Sequence, residues 1–431
     1  MTLKICESAD TCTKRTLNVE NSIHGPVLAR RGNKALALRV SGLEASGLVA
    51  QYWDMARSRT LAEFTSAYSR LQMPYFNLIY ADRSGHVLYA YTGRTPRRKG
   101  GTYADWATIL PGDNPSLLSS DILHWQELPQ AVDPPGGFVQ NSNDGPWTAT
   151  FPQILKPADY PSYLARNEMD LRPQAGALFL QSKPKFTVDE LLDGVRSTKL
   201  MMADRVLADL VQAAESSSDP LARQAAAVLQ AWDGRSDAGS RGAALFETWY
   251  ELEMAALQQE PGRKLYRQEW DPARPLSTPA GLADPTRAAA RLVDAAKVLR
   301  DQHGKIDIAW GENHRIRLVT RDSNYLHPRA ISDLPASGND FRMSSLHMMG
   351  YLPPDKHGIR VATSGETYTH VVELTPTGPK ARWVLSYGNA SRPESTHVTD
   401  QLSAFLSGEL LPVLRSRDEV EKATVKSDSI K

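Results

Sequence analysis

Cysteine is almost missing from this chain: Cys6 and Cys12 are the only two in 431 residues, and they make neither a Cys-x-x-Cys nor any zinc-ligand spacing. Their separation leaves the question of pairing open. The ten histidines are scattered, with no His-x-His and no His-Glu-x-x-His, so no metal site can be argued from them. Excess charge is missing too. A net charge of +1 offers no electrostatic footprint for nucleic acid, and the short basic run Arg94, Arg97, Arg98, Lys99 reads as a solvated loop between glycines. There is no Gly-x-x-x-x-Gly-Lys-Ser/Thr loop, no Gly-x-Gly-x-x-Gly after a strand and no Gly-x-Ser-x-Gly elbow. Nothing therefore points to a cofactor or to the common serine-hydrolase architecture. The apolar runs are too short to span a bilayer, so no membrane partner is expected. The first residues, Met1 to Glu7, lack the apolar segment of a signal peptide, which places the chain as written in the cytoplasm.

What is present is ordinary globular material, 41% hydrophobic and 23% charged, which excludes a disordered chain and leaves α/β and α+β classes open. The first forty residues read as short antiparallel strands, followed by amphipathic helices near 44–57 and 61–71. Residues 74–91 read as a β-hairpin around Asp82-Arg83-Ser84-Gly85. Residues 92–135 are rich in Gly, Pro and Trp and aperiodic, and a strand is expected over 138–143. From 186 to 303 apolar positions recur at helical spacing in five segments, and strands return at 315–320, 358–362, 368–374 and 382–387, before a helix near 399–406. The order sheet, helical block, sheet predicts an α+β fold in which 1–431 form one interwoven unit, with strands from both ends sharing a core and 186–303 as a helical block within it.

The segment from Pro134 to Trp147 carries the most chemistry. Pro134-Pro135 restricts the backbone and Gly136-Gly137 permits a reversal, so the uncharged amides that follow enter in a set direction. A neutral amide such as that of Asn143, held in a dry site, can donate to a developing oxyanion without a charge that must first be desolvated. The alternative for the same residues is a polar Asx turn between strands.

Several segments in order resemble the penicillin acylase family of N-terminal nucleophile hydrolases, most nearly the cephalosporin (glutaryl-7-aminocephalosporanic acid) acylases. They include His24-Gly25-Pro26-Val27, the hairpin from Phe76 to Gly85, Asp133 to Trp147, Asp159 to Ala165, Met202 to Arg205, Gly365-Glu366-Thr367 and Ser386 to Asn389. The resemblance implies a partial αββα fold and hydrolysis of the amide that joins an acyl side chain to a β-lactam nucleus or similar amine. In such enzymes a new N-terminal serine is the nucleophile and its own α-amine the base, which suits a group titrating near neutrality. By resemblance Asn143 is the side-chain oxyanion donor, Phe76 a wall of the acyl pocket, Glu366 a carboxylate supporting the catalytic histidine, and Arg172 a structural arginine near the site.

The family's Ser-Asn-x-Trp start of the large subunit is not found in this sequence. The resemblance implies that the partners are a small-molecule N-acyl amide and a complementary chain bearing the small subunit and the first part of the large one, with the periplasm as the setting of a full-length precursor. The chain alone is then expected to be inactive. Thr2, exposed by removal of Met1, is a weak substitute nucleophile because strand-like residues follow it. Two alternatives remain: a non-catalytic acyl-ligand-binding protein that keeps the fold, and an acyl-homoserine-lactone acylase.

Overall fold

The computed structural model describes residues 2–6, 12–119, 121–320, 329–390 and 395–425. The chain divides into two compact units, Met1–Met169 and Asp170–Lys431. Every sheet among the described residues is built from strands of one unit.

In the first unit Thr2–Cys6 pairs antiparallel with Cys12–Thr16, and a disulfide joins Cys6 to Cys12 where the two strands meet. The strands Asn21–Ser22, Gly25–Arg31 and Lys34–Ala37 make a small sheet, and the helices Leu48–Arg57 and Leu61–Tyr68 follow. Thr60 caps the second helix by accepting the Glu63 N–H, the local reason that it begins there. The expected hairpin is present as Tyr75–Ala81 against Val87–Gly93. Its turn is held by Asp82, whose Oδ1 accepts the N–H groups of Ser84 at 2.8 Å and His86 at 3.2 Å, while Gly85 takes φ +90°. Gln130–Val132 adds a third strand, recruited from the stretch that has no period of its own. Because Val87–Gly93 is the central strand, Leu88, Tyr89 and Ala90 are all buried, and Tyr68, Trp125, Leu128 and Trp147 complete the core around them.

The predicted strand over 138–143 does not form. Its backbone and side-chain polar groups are instead taken up by a turn described below.

The second unit contains the helical block: Val188–Val195, Met201–Glu215, Pro220–Gln230, Ala243–Gln259 and Pro285–His303. The last runs from a Pro at its first turn, capped by Asp284 on the Arg287 N–H, to Gly304 in the left-handed region, so both ends are written in the sequence. Fully buried alanines, among them Ala222, Ala226, Ala244, Ala288, Ala295 and Ala296, let these helices approach closely around Leu210, Phe246 and Trp249. Beyond the block, Arg329–Pro335, His314–Thr320, Arg360–Gly365 and Met349–Tyr351 lie side by side in one sheet. Tyr368–Thr375, Gly378–Leu385 and Leu411–Pro412 form another, with Leu402–Ser407 contributing Leu402 and Phe405 to the adjoining core.

Candidate functional site

Asn143 stands at the exposed tip of a turn with φ +67°, a left-handed conformation that asparagine tolerates better than most residues. The turn is organised from below by Asp144, which is buried. Asp144 Oδ1 accepts the Ser142 N–H at 3.0 Å and the Asn141 amide at 3.2 Å; Oδ2 accepts the Thr148 hydroxyl at 2.6 Å and the Gln140 amide at 3.4 Å. Asn141 Oδ1 in turn accepts the Asn143 N–H at 3.0 Å. Burial pushes the Asp144 carboxyl above the ordinary aspartate range in spite of these donors. The Asx turn and the presentation of Asn143 are thus one construction. Gly136 precedes it because a Cβ there would collide with the Phe151 carbonyl, and Gly137 because its φ is +72°.

Phe76 lies on the strand Tyr75–Ala81, opposite Thr92, and is 49% exposed. Its ring stacks on that of Tyr75 with centroids 5.2 Å apart. It is a presented aromatic surface, not a core residue.

Glu366 and Arg172 belong to the second unit. Arg172 sits in the first turn of the helix Leu171–Gln181 and is partly buried. Glu366 meets a histidine of its own unit: Oε2 lies 3.1 Å from His347 Nδ1, and Oε1 accepts the Met348 N–H at 3.2 Å. His347 is buried beside the Phe405 ring, and the Ser386 hydroxyl donates to the Glu366 carbonyl. A carboxylate on Nδ1 selects the tautomer with its proton there and leaves Nε2 as the basic nitrogen. Arg196 packs against the same group, with its guanidinium over Phe405 and Nη2 donating to the Phe405 carbonyl at 2.8 Å. Burial draws the Arg196 guanidinium down from its ordinary value, and the charge of Glu366 works the other way.

Three features escape a reading of the sequence. Asp144 is one; its only trace is the cluster of Asn, Ser and Asp in four consecutive positions. His347 is another, since it stands in no motif. The third is a buried charged network in the second unit: Glu247 Oε2 lies 2.8 Å from His314 Nε2 and 3.3 Å from Arg360, and Arg360 also pairs with Glu251. Desolvation opposes ionisation of Glu247, but His314 and Arg360 outweigh it and hold the carboxyl below the ordinary glutamate range. His314 stacks on Trp310 with centroids 3.4 Å apart, so this network is packed as well as charged. Among the described residues no group of three or more His, Cys, Asp or Glu is placed to hold a metal ion, and no helix is long and apolar enough to cross a membrane.

Residues 2–422 match the Penicillin amidase family. An acyl-homoserine lactone acylase PvdQ of Pseudomonas putida is 28% identical over 427 residues, covering 91% of this chain and 51% of the relative. A penicillin acylase 2 proenzyme of a Pseudomonas species is 23% identical over 445 residues, covering 96% of this chain and 54% of the relative. The chain therefore spans about half the length of these curated relatives. Among solved structures, a thermostable penicillin G acylase from Alcaligenes faecalis superposes with a TM-score of 0.65 at 17% identity, covering 100% of this chain and 81% of that one. The likeness shows the fold, α+β with antiparallel sheets and helices of the N-terminal nucleophile hydrolase type. The expected kinship with cephalosporin acylases in particular gives way to a broader one, with acyl-homoserine lactone acylases among the relatives. By its match over nearly the whole length and by its fold, the chain belongs to the penicillin amidase family.

Proposed function

We propose that this chain is part of an amidohydrolase that cleaves the acyl amide of N-acyl-homoserine lactones or close analogues. The observation that carries the reading is the 28% identity to an acyl-homoserine lactone acylase along 91% of the chain. In this reading Asn143 donates its side-chain amide to the oxyanion of the tetrahedral intermediate, and the Asp144 turn keeps the donor in place before substrate arrives. Phe76 offers an aromatic surface to the acyl group. Glu366 positions His347, and Arg172 has a structural role. The nucleophile comes from a complementary segment that begins with Ser-Asn-x-Trp. An oxyanion donor without nucleophile and base retains little of the rate enhancement, so the chain by itself is inactive.

The test is to assay the chain alone, and together with the nucleophile-bearing half of a family member, on N-acyl-homoserine lactones and on glutaryl- and phenylacetyl-amides. Turnover only in the complemented sample, highest on the lactones and lowered about 100-fold in kcat by Asn143→Ala, is the expected result. Turnover by the chain alone would overturn it. Hydrolysis confined to β-lactam side-chain amides would instead favour the second reading, a penicillin or cephalosporin acylase, which the similarity to penicillin acylase 2 supports.

A further inference from the structure

The basic run near residue 97 is not uniform solvated surface. Arg97 is neutralised by Asp121 at 2.9 Å and Glu127 at 2.6 Å, and Arg94 donates to the Leu71 carbonyl and stands 3.7 Å from Glu44. Arg98 differs. Its guanidinium lies over the Trp106 ring at 4.3 Å and 5.9 Å from the centroid of Tyr163, and among the described residues it has no carboxylate partner. Arg39 donates to the Ser119 carbonyl and is likewise without a carboxylate among the described residues.

These two arginines stand where two cavities of the first unit meet. One, of about 390 Å³, is walled by Tyr75, Tyr91, Tyr103 and Trp106; the other, of about 540 Å³, by Leu36, Leu38, Ile109, Leu110 and Leu117. Arg39, Ser41, Pro96, Arg98 and Trp106 line both. Each volume falls in the range of roughly 300–1,000 Å³ used for small ligands. A guanidinium held over an aromatic ring is partly stripped of water, and its fork of donors favours a planar two-oxygen acceptor. The trough beside it presents leucine and isoleucine and, among the described residues, no arginine or lysine beyond Arg39 and Arg98, so the matching ligand carries one negative head and an apolar body.

We propose that the first unit binds an amphipathic monocarboxylate, with its carboxylate on Arg98 and Arg39 and its hydrocarbon tail along Leu36, Leu38 and Ile109. Neither Asn143 nor Phe76 lines either cavity, although Phe76 stacks on Tyr75, a wall of the first, so the proposed carboxylate site on Arg98 and Arg39 is distinct from the Asn143 turn. It does not rest on the amidohydrolase reading. A polyanion fits less well, because the nearby Arg97 and Arg94 already face carboxylates and the hydroxyls of Ser41, Thr108 and Ser119 that line the trough already donate to backbone carbonyls.

Calorimetric titration of the 431-residue chain with octanoate, octanamide and inorganic phosphate tests this. Octanoate should bind saturably and about tenfold or more tighter than octanamide, a difference that Arg98→Gln should erase. Ile109 is 82% exposed, so Ile109→Ser leaves folding intact and should weaken octanoate while leaving acetate unchanged. Equal binding of octanoate and octanamide would overturn the proposal. So would displacement of octanoate by an equal concentration of phosphate, which would mark a plain anion site, or octanoate binding indifferent to both substitutions.

Discussion

Replacing Asp144 by Ala should open the Asn143 turn without unfolding the rest of the first unit. The lost interactions are four hydrogen bonds to one carboxylate, from Ser142 N, Asn141, Thr148 and Gln140. Bonds to a charged acceptor contribute roughly 1.5–3 kcal/mol each. Relief of carboxylate desolvation, on the order of several kcal/mol, offsets most of that sum. What remains is mainly the cost of depriving buried donors such as the Thr148 hydroxyl of their acceptor, about 1–3 kcal/mol apiece. Gln140 is less affected because its amide also donates to the Thr148 carbonyl at 2.8 Å. A net loss of about 3 kcal/mol follows, equivalent to roughly a hundredfold rise in the open population. Amide hydrogen exchange of peptides covering 138–150, read by mass spectrometry, measures this local opening directly.

Acidity adds a signed check. Because burial raises the folded pKa of Asp144, the folded turn holds its proton more tightly than the unfolded chain does. Turn stability should therefore fall as pH rises from the ordinary aspartate range through the raised value, then level off. In Asp144→Ala this dependence should vanish. Unchanged exchange in the variant, or a wild-type turn that tightens as pH rises through that window, would refute the idea that Asp144 is a buried, strained anchor of the turn.

Other outcomes follow from the same structure. Glu247→Gln should destabilise the second unit by about 3–5 kcal/mol, since it leaves the Arg360 charge buried with one carboxylate fewer; a urea midpoint within error of wild type would contradict this. The depressed pKa of Glu247 contributes stability above the ordinary glutamate range and loses it as pH falls below, so acid melts of wild type should be steeper than those of the variant. His86 Nδ1 lies 2.7 Å from Asp133 and that hydrogen bond raises the histidine pKa, so NMR titration should find it above the ordinary value and Asp133→Asn should return it there. Gly136→Ala should destabilise more than Gly137→Ala, because the first meets the Phe151 carbonyl and the second only a positive φ in open space; thermal melts ranking them the other way would contradict the two roles.

Local elements were readable because their causes are local. The hairpin at 75–93 is specified by two aromatic-rich apolar runs and an Asp-x-x-Gly turn, and the helix Pro285–His303 by Asp284, Pro285 and Gly304 at its ends. The strand expected at 138–143 failed because Asp144, which folding buries under the turn, captures groups of its near neighbours that a strand would have paired with another strand. Arg98 was misread similarly. In sequence it is one of four basic residues in a loop, and only folding separates it from the carboxylates that neutralise Arg97 and sets it on Trp106.

By itself the sequence determined the α+β class, the hairpin and the five segments of the helical block, the disposition of Pro134 to Gly137 ahead of Asn143, and the resemblance to an acylase family. These follow from periodicity, turn chemistry and motif order, all of which are properties of neighbouring residues. The tertiary structure decided which polar groups are buried and what faces them: Asp144 beneath Asn143, His347 on Glu366, His314 and Arg360 on Glu247, and Arg98 over Trp106 at the junction of two cavities. Burial and charge pairing depend on residues far apart in the chain, and so they become definite only when the chain has folded.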